Sequence, residues 1–432
     1  MTELDLRTAL DEALRILKEN DRGGYTIPTS GLYPFQWNWD SCLAALGLRH
    51  LDEARAWQEL ETLLAHQWPD GMVPHIVFHV PDEGYFPGPD VWGAPLPSGT
   101  ITPTSGITQP PLLGYAMRRL YEEARDSRLA EAKARALLPK AAAWHRWFYA
   151  ARDPAGSGLV AIIHPWESGR DNSIDWVEAL ARVPTDGVPP YRRRDTGHVD
   201  AAQRPTQAEY DRYIWLVRHF RALGWDNRKL HDASPFRVVD PGFNAILIRS
   251  DADLAALADA LGELQIAEEA RSRIAKAATA FEVLWSPIRH QYLCLDRVTG
   301  TLVDSPSAGG LLPLFAGLGG ATRQRALADR IRDWRARTRF GVASHDPSDP
   351  RFEPKRYWRG PAWLIINAML ADGLARNGLA DDAEAINADS LALLSAGGFA
   401  EYYDPLTGEG LGGRQFTWTA AMVADLIKRS AP

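Results

Sequence analysis

The amino-acid sequence predicts an all-α fold built from antiparallel helix pairs. Apolar residues recur at spacings of three and four from one end of the 432-residue chain to the other, which is the pattern of amphipathic helices. Strand-like runs are few. The two best, residues 73–80 and 159–163, lie inside irregular segments instead of alternating with helices, which argues against a parallel α/β fold. Antiparallel pairs that closed into a ring would form an (α/α) toroid.

The helical pattern begins close to the N-terminus, where Leu6, Leu10, Leu14 and Leu17 recur at three- and four-residue spacings. Several later segments follow one another across short turns such as Gly262-Glu263, which favours antiparallel neighbours. About thirteen helices are predicted by the same pattern. They cover residues 3–20, 39–49, 52–67, 110–127, 129–149, 205–223, 241–262, 264–285, 309–317, 320–337, 360–377, 380–395 and 416–429.

Three long irregular segments interrupt the helices, at about residues 69–109, 150–204 and 338–359. Irregular segments of this length inside a compact domain are usually functional. No linker rich in Pro, Ser or Gly divides the chain into halves of different composition. We therefore expect a single domain over residues 1–432, with the long loops gathered on one face.

The charge balance excludes several partners. The chain carries 48 Lys and Arg against 55 Asp and Glu, a net charge of −7, so it lacks the basic footprint of a nucleic-acid-binding protein. No apolar run approaches the roughly 20 residues that span a bilayer, and the N-terminus has no secretory signal pattern. We expect a cytoplasmic protein that binds neither nucleic acid nor membrane. The sequence leaves its oligomeric state open, a homo-oligomer included.

Cysteine and histidine patterns give little support to a metal site. Cys42 and Cys294 lie far apart and form no metal-binding pattern, so we expect two buried thiols in a reducing compartment. His75 and His79 have a four-residue spacing, but Pro74 and a second proline after them argue against a helix there. This segment is better interpreted as a lid or pocket wall, and the sequence predicts neither a metal nor another cofactor.

Tryptophan is unusually abundant, with 16 Trp against 13 Tyr and 13 Phe. Tryptophan supplies a large flat surface with one polar edge. Nine of the 16 lie in or beside the loops that carry the candidate site residues described below, which indicates the walls of a sugar pocket more than the filling of a core. These nine are Trp37, Trp39, Trp68, Trp92, Trp166, Trp176, Trp358, Trp363 and Trp418.

Residues 31–41, GLYPFQWNWDS, place Tyr33, Trp37, Trp39 and Asp40 at a loop-to-helix junction. Such aromatic rings can stack on the apolar face of a sugar while the neighbouring carboxylate accepts its hydroxyl protons. The alternative is that the rings pack in the core and Asp40 caps the following helix. Four aromatic residues within seven positions are more than capping requires, so we favour the sugar site.

Residues 164–176, HPWESGRDNSIDW, carry Glu167, Asp171 and Asp175 at four-residue intervals beside Trp166 and a second tryptophan. A carboxyl group walled by indole rings loses solvation, and its pKa rises, as a general acid requires. The alternative is that all three carboxylates are helix caps and solvated surface charges. The tryptophan density favours a catalytic site.

A second acidic loop lies near the C-terminus, where Glu401 precedes two tyrosines and Gln415 and Trp418 open the next helix. Just upstream, RYWRGPAW adds Tyr357 and Trp358 to the same mouth. Two acidic loops flanked by aromatic residues suggest paired carboxylates around a glycosidic bond. A serine nucleophile is poorly supported, because the chain has no GxSxG elbow.

These segments resemble, in the same order, the motifs of glycoside hydrolase family sixty-three and the related trehalases, which are (α/α)6 barrels. The run PWESGRDNS resembles the general-acid motif of that clan, and the acid then falls on Asp171. The runs EYYDPLTGEG and GGRQFTWT resemble its general-base motif, and the base then falls on Glu401. With GLYPFQWNWDS and YWRGPAW included, the similarity extends from about residue 31 to residue 419.

Within that family, the short chain and the runs PHIVF and GYFPGP resemble the bacterial mannosylglycerate and glucosylglycerate hydrolases. The implied reaction is hydrolysis, with inversion, of an α-linked hexose from the 2-hydroxyl of D-glycerate, and the implied partner is this small-molecule glycoside. Gln109, Arg212, Tyr213 and Gln415 would lie near the glycerate. The candidate substrate-binding residues are Tyr33, Trp37, Trp39, Asp40, Tyr85, Gln109, Trp166, Arg212, Tyr213, Tyr357, Trp358, Trp363, Gln415 and Trp418.

An acidic substrate entering an acidic protein needs local positive charge, and a guanidinium is the best donor to a carboxylate. Arg212 in YDRYIW is our candidate, although it is equally compatible with an exposed helical arginine. Three other functions stay open. They are a sugar epimerase or uronate lyase using His75, His79 or His164, a trehalase-like α-glucosidase, and a carbohydrate-binding module. The module would leave the paired carboxylates without a role, and the sequence does not choose between glucose and mannose.

Overall fold

A computed structural model describes residues 3–97, 99–197 and 199–430. Fifteen α-helices lie within these ranges, in agreement with the predicted all-α class. They are α1 (Glu3–Asn20), α2 (Asn38–Leu48), α3 (Glu53–Ala65), α4 (Pro89–Trp92), α5 (Leu113–Glu122), α6 (Ser127–Arg152), α7 (Val177–Ala181), α8 (Gln207–Ala222), α9 (Asn227–Ala233), α10 (Pro241–Ala260), α11 (Leu264–Ala280), α12 (Gly320–Arg337), α13 (Leu364–Arg376), α14 (Ala380–Gly397) and α15 (Thr417–Ser430).

The described strands are short and all their pairings are antiparallel. They form four small sheets, β1–β2, β3–β6–β7, β4–β5 and β8–β9. The strands are β1 (Gln36–Trp37), β2 (Ile76–Val77), β3 (Val238–Val239), β4 (Trp285–Ser286), β5 (Gln291–Tyr292), β6 (Leu295–Asp296), β7 (Thr301–Leu302), β8 (Ala400–Tyr403) and β9 (Gly410–Arg414).

The helices form a closed ring of six inner elements. In order around the ring these are α2, α5, α10, a pair of 3₁₀ turns at residues 308–314, α13 and α15, and α15 packs back against α2. Each inner element follows an outer helix in the chain, and the outer helices are α1, α3, α6, α11, α12 and α14. Six such pairs make an (α/α)6 toroid, as predicted.

Sequence decides which helices lie inside. Every residue of α2 is buried, whereas α11 buries only Ala267, Ala270 and Ala277. A helix that is apolar all round has to be buried, and one with a narrow apolar stripe covers the outside. Small residues let inner helices approach closely. A Cβ atom on Gly47 of α2 would lie 2.6 Å from the Cα atom of Ala421 on α15.

The loops gather on one face because of how the pairs are connected. Connections from an inner element to the next outer helix are short, at residues 49–52, 123–126, 261–263, 315–319 and 377–379. Connections into the inner elements are long, at residues 21–37, 66–112, 153–240, 281–307, 338–363 and 398–416. All the long connections therefore reach the end of the ring where the inner helices begin.

Three local predictions differ from the structure. Residues 309–317 form two 3₁₀ turns, Ala308–Gly310 and Leu312–Leu314, instead of a helix, because two glycines and a proline close together weaken regular helix. Of residues 73–80 only Ile76–Val77 is a strand, and residues 159–163 contribute one isolated bridge. The β8–β9 hairpin was not predicted.

Two further features were tested by the structure. Cys42 and Cys294 are buried and free, as expected. Among the described helices, none has both the length and the apolarity that crossing a membrane requires.

Candidate active site

A cavity opens at the loop-bearing end of the ring, with about 860 Å³ of empty space including its open mouth. Eleven of the sixteen residues predicted for the site line it. They are Tyr33, Trp37, Trp39, Asp40, Tyr85, Gln109, Trp166, Asp171, Tyr357, Glu401 and Trp418. Segments from opposite ends of the chain therefore meet at one place, because each belongs to a connection that enters the inner ring.

Asp171 lies in a loop whose backbone is tightly held. The loop runs between two 3₁₀ turns, Pro165–Ser168 and Ile174–Trp176. The Asp171 carbonyl oxygen accepts hydrogen bonds from the Trp176 indole N–H at 2.8 Å and the Tyr213 hydroxyl at 2.9 Å. The chain turns just before it at Gly169, with φ of 69°, where an added Cβ would lie 2.8 Å from the Trp39 ring.

The Asp171 carboxyl has a strongly raised pKa. Burial raises its pKa from an ordinary value near 3.8 to about 7. The charge of Arg204 opposes this rise, and the carboxylates of Glu401 and Asp195 add to it. The hydrogen bonds from the described side chains reach the Asp171 backbone carbonyl and not its carboxyl. A large fraction of Asp171 is therefore protonated at neutral pH.

Glu401 lies on β8 and has a different environment. Its Oε1 accepts hydrogen bonds from the hydroxyls of Tyr33 at 3.1 Å and Tyr357 at 3.4 Å, and its Oε2 accepts one from the Gly413 N–H on β9 at 2.9 Å. Burial holds the pKa of Glu401 above its ordinary value, although Arg204 and these three donors oppose the rise. The site thus contains donors arranged around the Glu401 carboxyl.

Two stacked tryptophans support this site from outside the cavity. Trp358 and Trp363 lie face to face with ring centroids 3.7 Å apart and do not line the cavity. The Trp363 indole N–H donates to the Tyr357 carbonyl at 3.3 Å. Tyr357 itself has a φ of 36°, a strained value for a non-glycine residue that surrounding packing must maintain. Trp358 and Trp363 therefore hold the tyrosine that contacts Glu401.

Arg204 is the site residue that the sequence analysis missed. Its side chain is buried, lies 4.2 Å from the centroid of the Tyr357 ring, and reaches Asp195 at 3.2 Å. The charge of Arg204 opposes the rise in pKa of both Asp171 and Glu401, so this one guanidinium interacts with both carboxyls. The only signal in the sequence was its place in a long loop that also contains the basic run at residues 192–194.

The other predicted polar residues fall in different places. Gln109 lines the cavity, and its side-chain oxygen accepts a hydrogen bond from the backbone N–H of Trp39 at 3.3 Å. Arg212 donates to the Ala208 carbonyl on its own helix and does not line the cavity. Tyr213 supports the Asp171 loop from behind. The Gln415 side chain is exposed and also lies outside the lining.

His75 and His79, considered above as a metal pair, have separate partners. His75 lines the cavity and lies 3.2 Å from the Ser105 hydroxyl. His79 lies 2.8 Å from the Gln36 side-chain oxygen and stacks on Tyr25. In the described part of the chain, no group of three or more His, Cys, Asp or Glu side chains could hold a metal ion.

A helical toroid with a protonated carboxyl and a hydrogen-bonded carboxylate in one aromatic-walled cavity has the features of a glycoside hydrolase. Comparison with known families extends this conclusion. The model of the mannosylglycerate hydrolase MGH1-like glycoside hydrolase domain matches residues 33–419. The chain belongs to this family.

Similar proteins extend over almost the whole chain. Mannosylglycerate hydrolase MGH1 from Selaginella moellendorffii is 53% identical over 96% of this chain and 84% of its own length. A mannosylglycerate hydrolase of Thermus thermophilus is 48% identical over 95% of this chain and 98% of its own. The glucosylglycerate hydrolase of Mycolicibacterium hassiacum is 37% identical over 96% of both chains.

A solved structure shows the same fold. A family-63 mannosylglycerate hydrolase from Thermus thermophilus, in complex with Tris and D-glycerate, superposes with a TM-score of 0.93 at 47% identity. The match covers 98% of this chain and 100% of the other.

Proposed function

We propose that this chain hydrolyses an α-glycoside of D-glycerate with inversion at the anomeric carbon, the hexose being mannose or glucose. The observation that carries the proposal is the contrast between two buried carboxyls in one cavity. Burial raises the pKa of Asp171 to about 7, whereas the oxygens of Glu401 accept three hydrogen bonds. Family membership and relatives named mannosylglycerate and glucosylglycerate hydrolase support the substrate.

Asp171 is the proposed general acid. Departure of the glycerate 2-hydroxyl as an alkoxide is unfavourable, so the glycosidic oxygen needs a proton as the C1–O bond breaks. The raised pKa of Asp171, about 7, keeps that proton available near neutral pH. A general acid of this kind contributes about 10²–10⁴-fold to the rate.

Glu401 is the proposed general base. As an anion it takes a proton from a water molecule that attacks C1 on the face opposite the leaving group. Tyr33, Tyr357 and Gly413 orient both of its oxygens, which supports a fixed direction of proton transfer. Inversion by this mechanism requires the two carboxyls to be about 6.5–9.5 Å apart, leaving room for the water.

The glycerate carboxylate is best assigned to Arg204. Arg212, the candidate from sequence, contacts its own helix outside the cavity, whereas the buried guanidinium of Arg204 lines the cavity beside Asp171 and Glu401. A buried guanidinium is the strongest donor to a carboxylate in proteins. Arg194 also lines the cavity and adds a second positive charge to the same wall.

The sugar ring is assigned to the aromatic wall around Asp40. Trp39 and Trp418 line this wall with ring centroids 5.8 Å apart. Burial, reinforced by the charge of Glu401, raises the pKa of Asp40 well above its ordinary range. This shift favours the protonated carboxyl, which donates a hydrogen bond to a sugar hydroxyl. This interaction would fix the ring next to the two catalytic carboxyls.

The proposal is tested by following the reaction with α-mannosylglycerate, α-glucosylglycerate and trehalose by proton NMR in D₂O. We expect release of D-glycerate together with the β-anomer of the hexose from at least one glycerate substrate, before mutarotation mixes the anomers. Early release of the α-anomer contradicts inversion. Exchange of a carbon-bound proton without free hexose contradicts hydrolysis and favours an epimerase or lyase. Preference for trehalose contradicts the glycerate assignment.

A further inference from the structure

A buried ionic network lies directly behind the general-acid loop. Arg170, the residue before Asp171, extends away from the cavity and donates to Asp240 Oδ1 at 2.8 Å, to Asp175 Oδ2 at 3.1 Å and to the Ser307 hydroxyl at 3.1 Å. The Ser307 hydroxyl in turn donates to Asp175 at 2.6 Å. Arg170 is 3% exposed, and none of these four residues is among those lining the cavity.

The network joins the acid loop to two neighbouring inner elements of the ring. Asp240 is the N-cap of α10, where its side chain accepts from the Gly242 N–H. Ser307 directly precedes the 3₁₀ turn at Ala308–Gly310. The fit is close, because a Cβ on Gly309 would lie 2.2 Å from Arg170 Nη2. Arg170 therefore anchors its loop to the inner ring of the barrel.

Stability alone is a poor explanation for this network. One guanidinium balances two buried carboxylates, and Asp175 Oδ1 and Asp240 Oδ2 have no hydrogen-bond partner among the described residues. Each buried polar group left unpaired costs free energy of folding. Apolar side chains of similar volume often replace buried ion pairs without loss of stability. Stability alone therefore does not explain the arrangement, which points to a role in the reaction.

The network provides a contact that fixes the position of the Asp171 loop. The carboxyl of Asp171 receives no hydrogen bond from the described side chains, so only its backbone fixes its position. Trp176 and Tyr213 hold its carbonyl oxygen, and Arg170 is the anchor on the other side. We propose that Arg170, with Asp175 and Asp240, is a positioning network that aims the Asp171 carboxyl at the glycosidic oxygen.

This inference rests on the proposed acid role of Asp171, and it makes a selective prediction. A misplaced acid slows cleavage only where the leaving group needs a proton. The glycerate alkoxide needs one, whereas fluoride leaves without it. Displacement of a catalytic group by about 1 Å costs on the order of 10²-fold. On that basis we expect Arg170→Met to lower kcat about 100-fold on the glycerate glycoside and less than about threefold on the α-glycosyl fluoride of the same hexose.

Three further variants keep the test decisive. Arg170→Lys keeps the charge but replaces the planar, rigid set of guanidinium donors with a compact ammonium, so an intermediate loss on the glycerate glycoside is expected. The triple variant Arg170→Met, Asp175→Asn, Asp240→Asn removes the unpaired charges and retains a good N-cap, in case the single variant does not fold. Arg249→Met is the matched control, because Arg249 is also 3% exposed and pairs with Asp253 and Asp372 away from the cavity.

The outcomes separate the two proposals. Equal losses on both substrates for folded Arg170→Met, or no loss on either, overturn the positioning role. Asp171→Asn is measured alongside on the same substrates. If it loses the glycoside but retains the fluoride while Arg170→Met loses neither, only the positioning network fails. If Asp171→Asn loses both substrates equally, the acid assignment itself fails, and with it this inference.

Discussion

The two proposed catalytic carboxyls are both buried, but the protein holds them in opposite ways. Asp171 is fixed through its backbone carbonyl, and its carboxyl accepts no hydrogen bond from the described side chains. Glu401 is fixed through its own oxygens by two tyrosine hydroxyls and a backbone N–H. Burial is the largest cause of the raised pKa of both carboxyls. Donors stabilise an anion and their lack favours the neutral acid, so local hydrogen bonding assigns the two roles.

The largest expected effect separates the two carboxyls by substrate. Glu401→Gln should lower kcat about 10²–10⁴-fold on both the glycerate glycoside and the glycosyl fluoride, because both reactions need an activated water. Asp171→Asn should cause a similar loss on the glycoside alone. Steady-state kinetics on both substrates test this. Full activity of Glu401→Gln on either substrate would contradict its role as base.

A smaller effect is expected from Arg204→Met, which removes the positive charge that interacts with both Asp171 and Glu401. A hydrogen bond to a charged group contributes about 1.5–3 kcal/mol, so KM for the glycerate glycoside should rise about 10–100-fold. KM for the fluoride should change much less, since fluoride has no carboxylate. Arg212→Met is the matched control and should leave both values near those of the wild type. If Arg212→Met raises KM for the glycerate glycoside more than Arg204→Met does, Arg212 binds the glycerate carboxylate instead.

The pH profile of kcat/KM should be bell-shaped. Removal of a hydrogen-bond donor to Glu401 should shift its acidic limb and leave its alkaline limb unchanged. Activity is expected to fall above about pH 7, where Asp171 loses its proton, and to fall at low pH, where Glu401 gains one. Tyr33→Phe removes a donor that stabilises the ionised form of Glu401. The pKa of Glu401 should therefore rise and the acidic limb should shift to higher pH, while the alkaline limb stays in place. The expected loss at the optimum is about tenfold or less.

A matched control exists in the same cavity. Tyr85 lines it without a hydrogen bond to Glu401 among the described contacts, so Tyr85→Phe should leave the acidic limb unchanged. If Tyr33→Phe and Tyr85→Phe move the profile equally, the tyrosine hydroxyl does not control the ionisation of Glu401.

The sequence was most informative where one residue type carries the signal. The apolar periodicity predicted the helices that the structure shows as α2 and α10, and tryptophans beside carboxylates located both acidic loops. Arg204 was missed because its place in the cavity depends on the path of an irregular loop, which no local pattern encodes. Arg212 was preferred because it lies between two tyrosines in sequence, but on α8 its guanidinium turns back to its own helix.

The β8–β9 hairpin was missed for a related reason. Glycines in Gly410–Arg414 are poor strand formers, and the strand exists because side chains pack against its bare backbone. At Gly412 an added Cβ would lie 2.4 Å from Glu401 Oε2. The glycines that weaken the strand signal are the residues that let β9 approach the catalytic carboxylate, so local propensity and site geometry make opposite demands there.

The pH dependence of the stability of the fold also distinguishes the acid from its neighbours. The pKa of folded Asp171 is about 7, against 3.8 when unfolded, so its contribution to stability is fully present below pH 3.8 and is lost as pH rises through 7. Asp171→Asn cannot ionise and should become more stable than the wild type with increasing pH, by at most about 4 kcal/mol above about pH 7. Thermal unfolding midpoints between about pH 5 and 8 measure this.

Asp195, in the same cavity, has a lowered pKa because Arg193 and Arg204 offset its burial, so Asp195→Asn should destabilise the protein at neutral pH. A gap between Asp171→Asn and wild type that does not change with pH would mean that burial does not hold the proton on the acid.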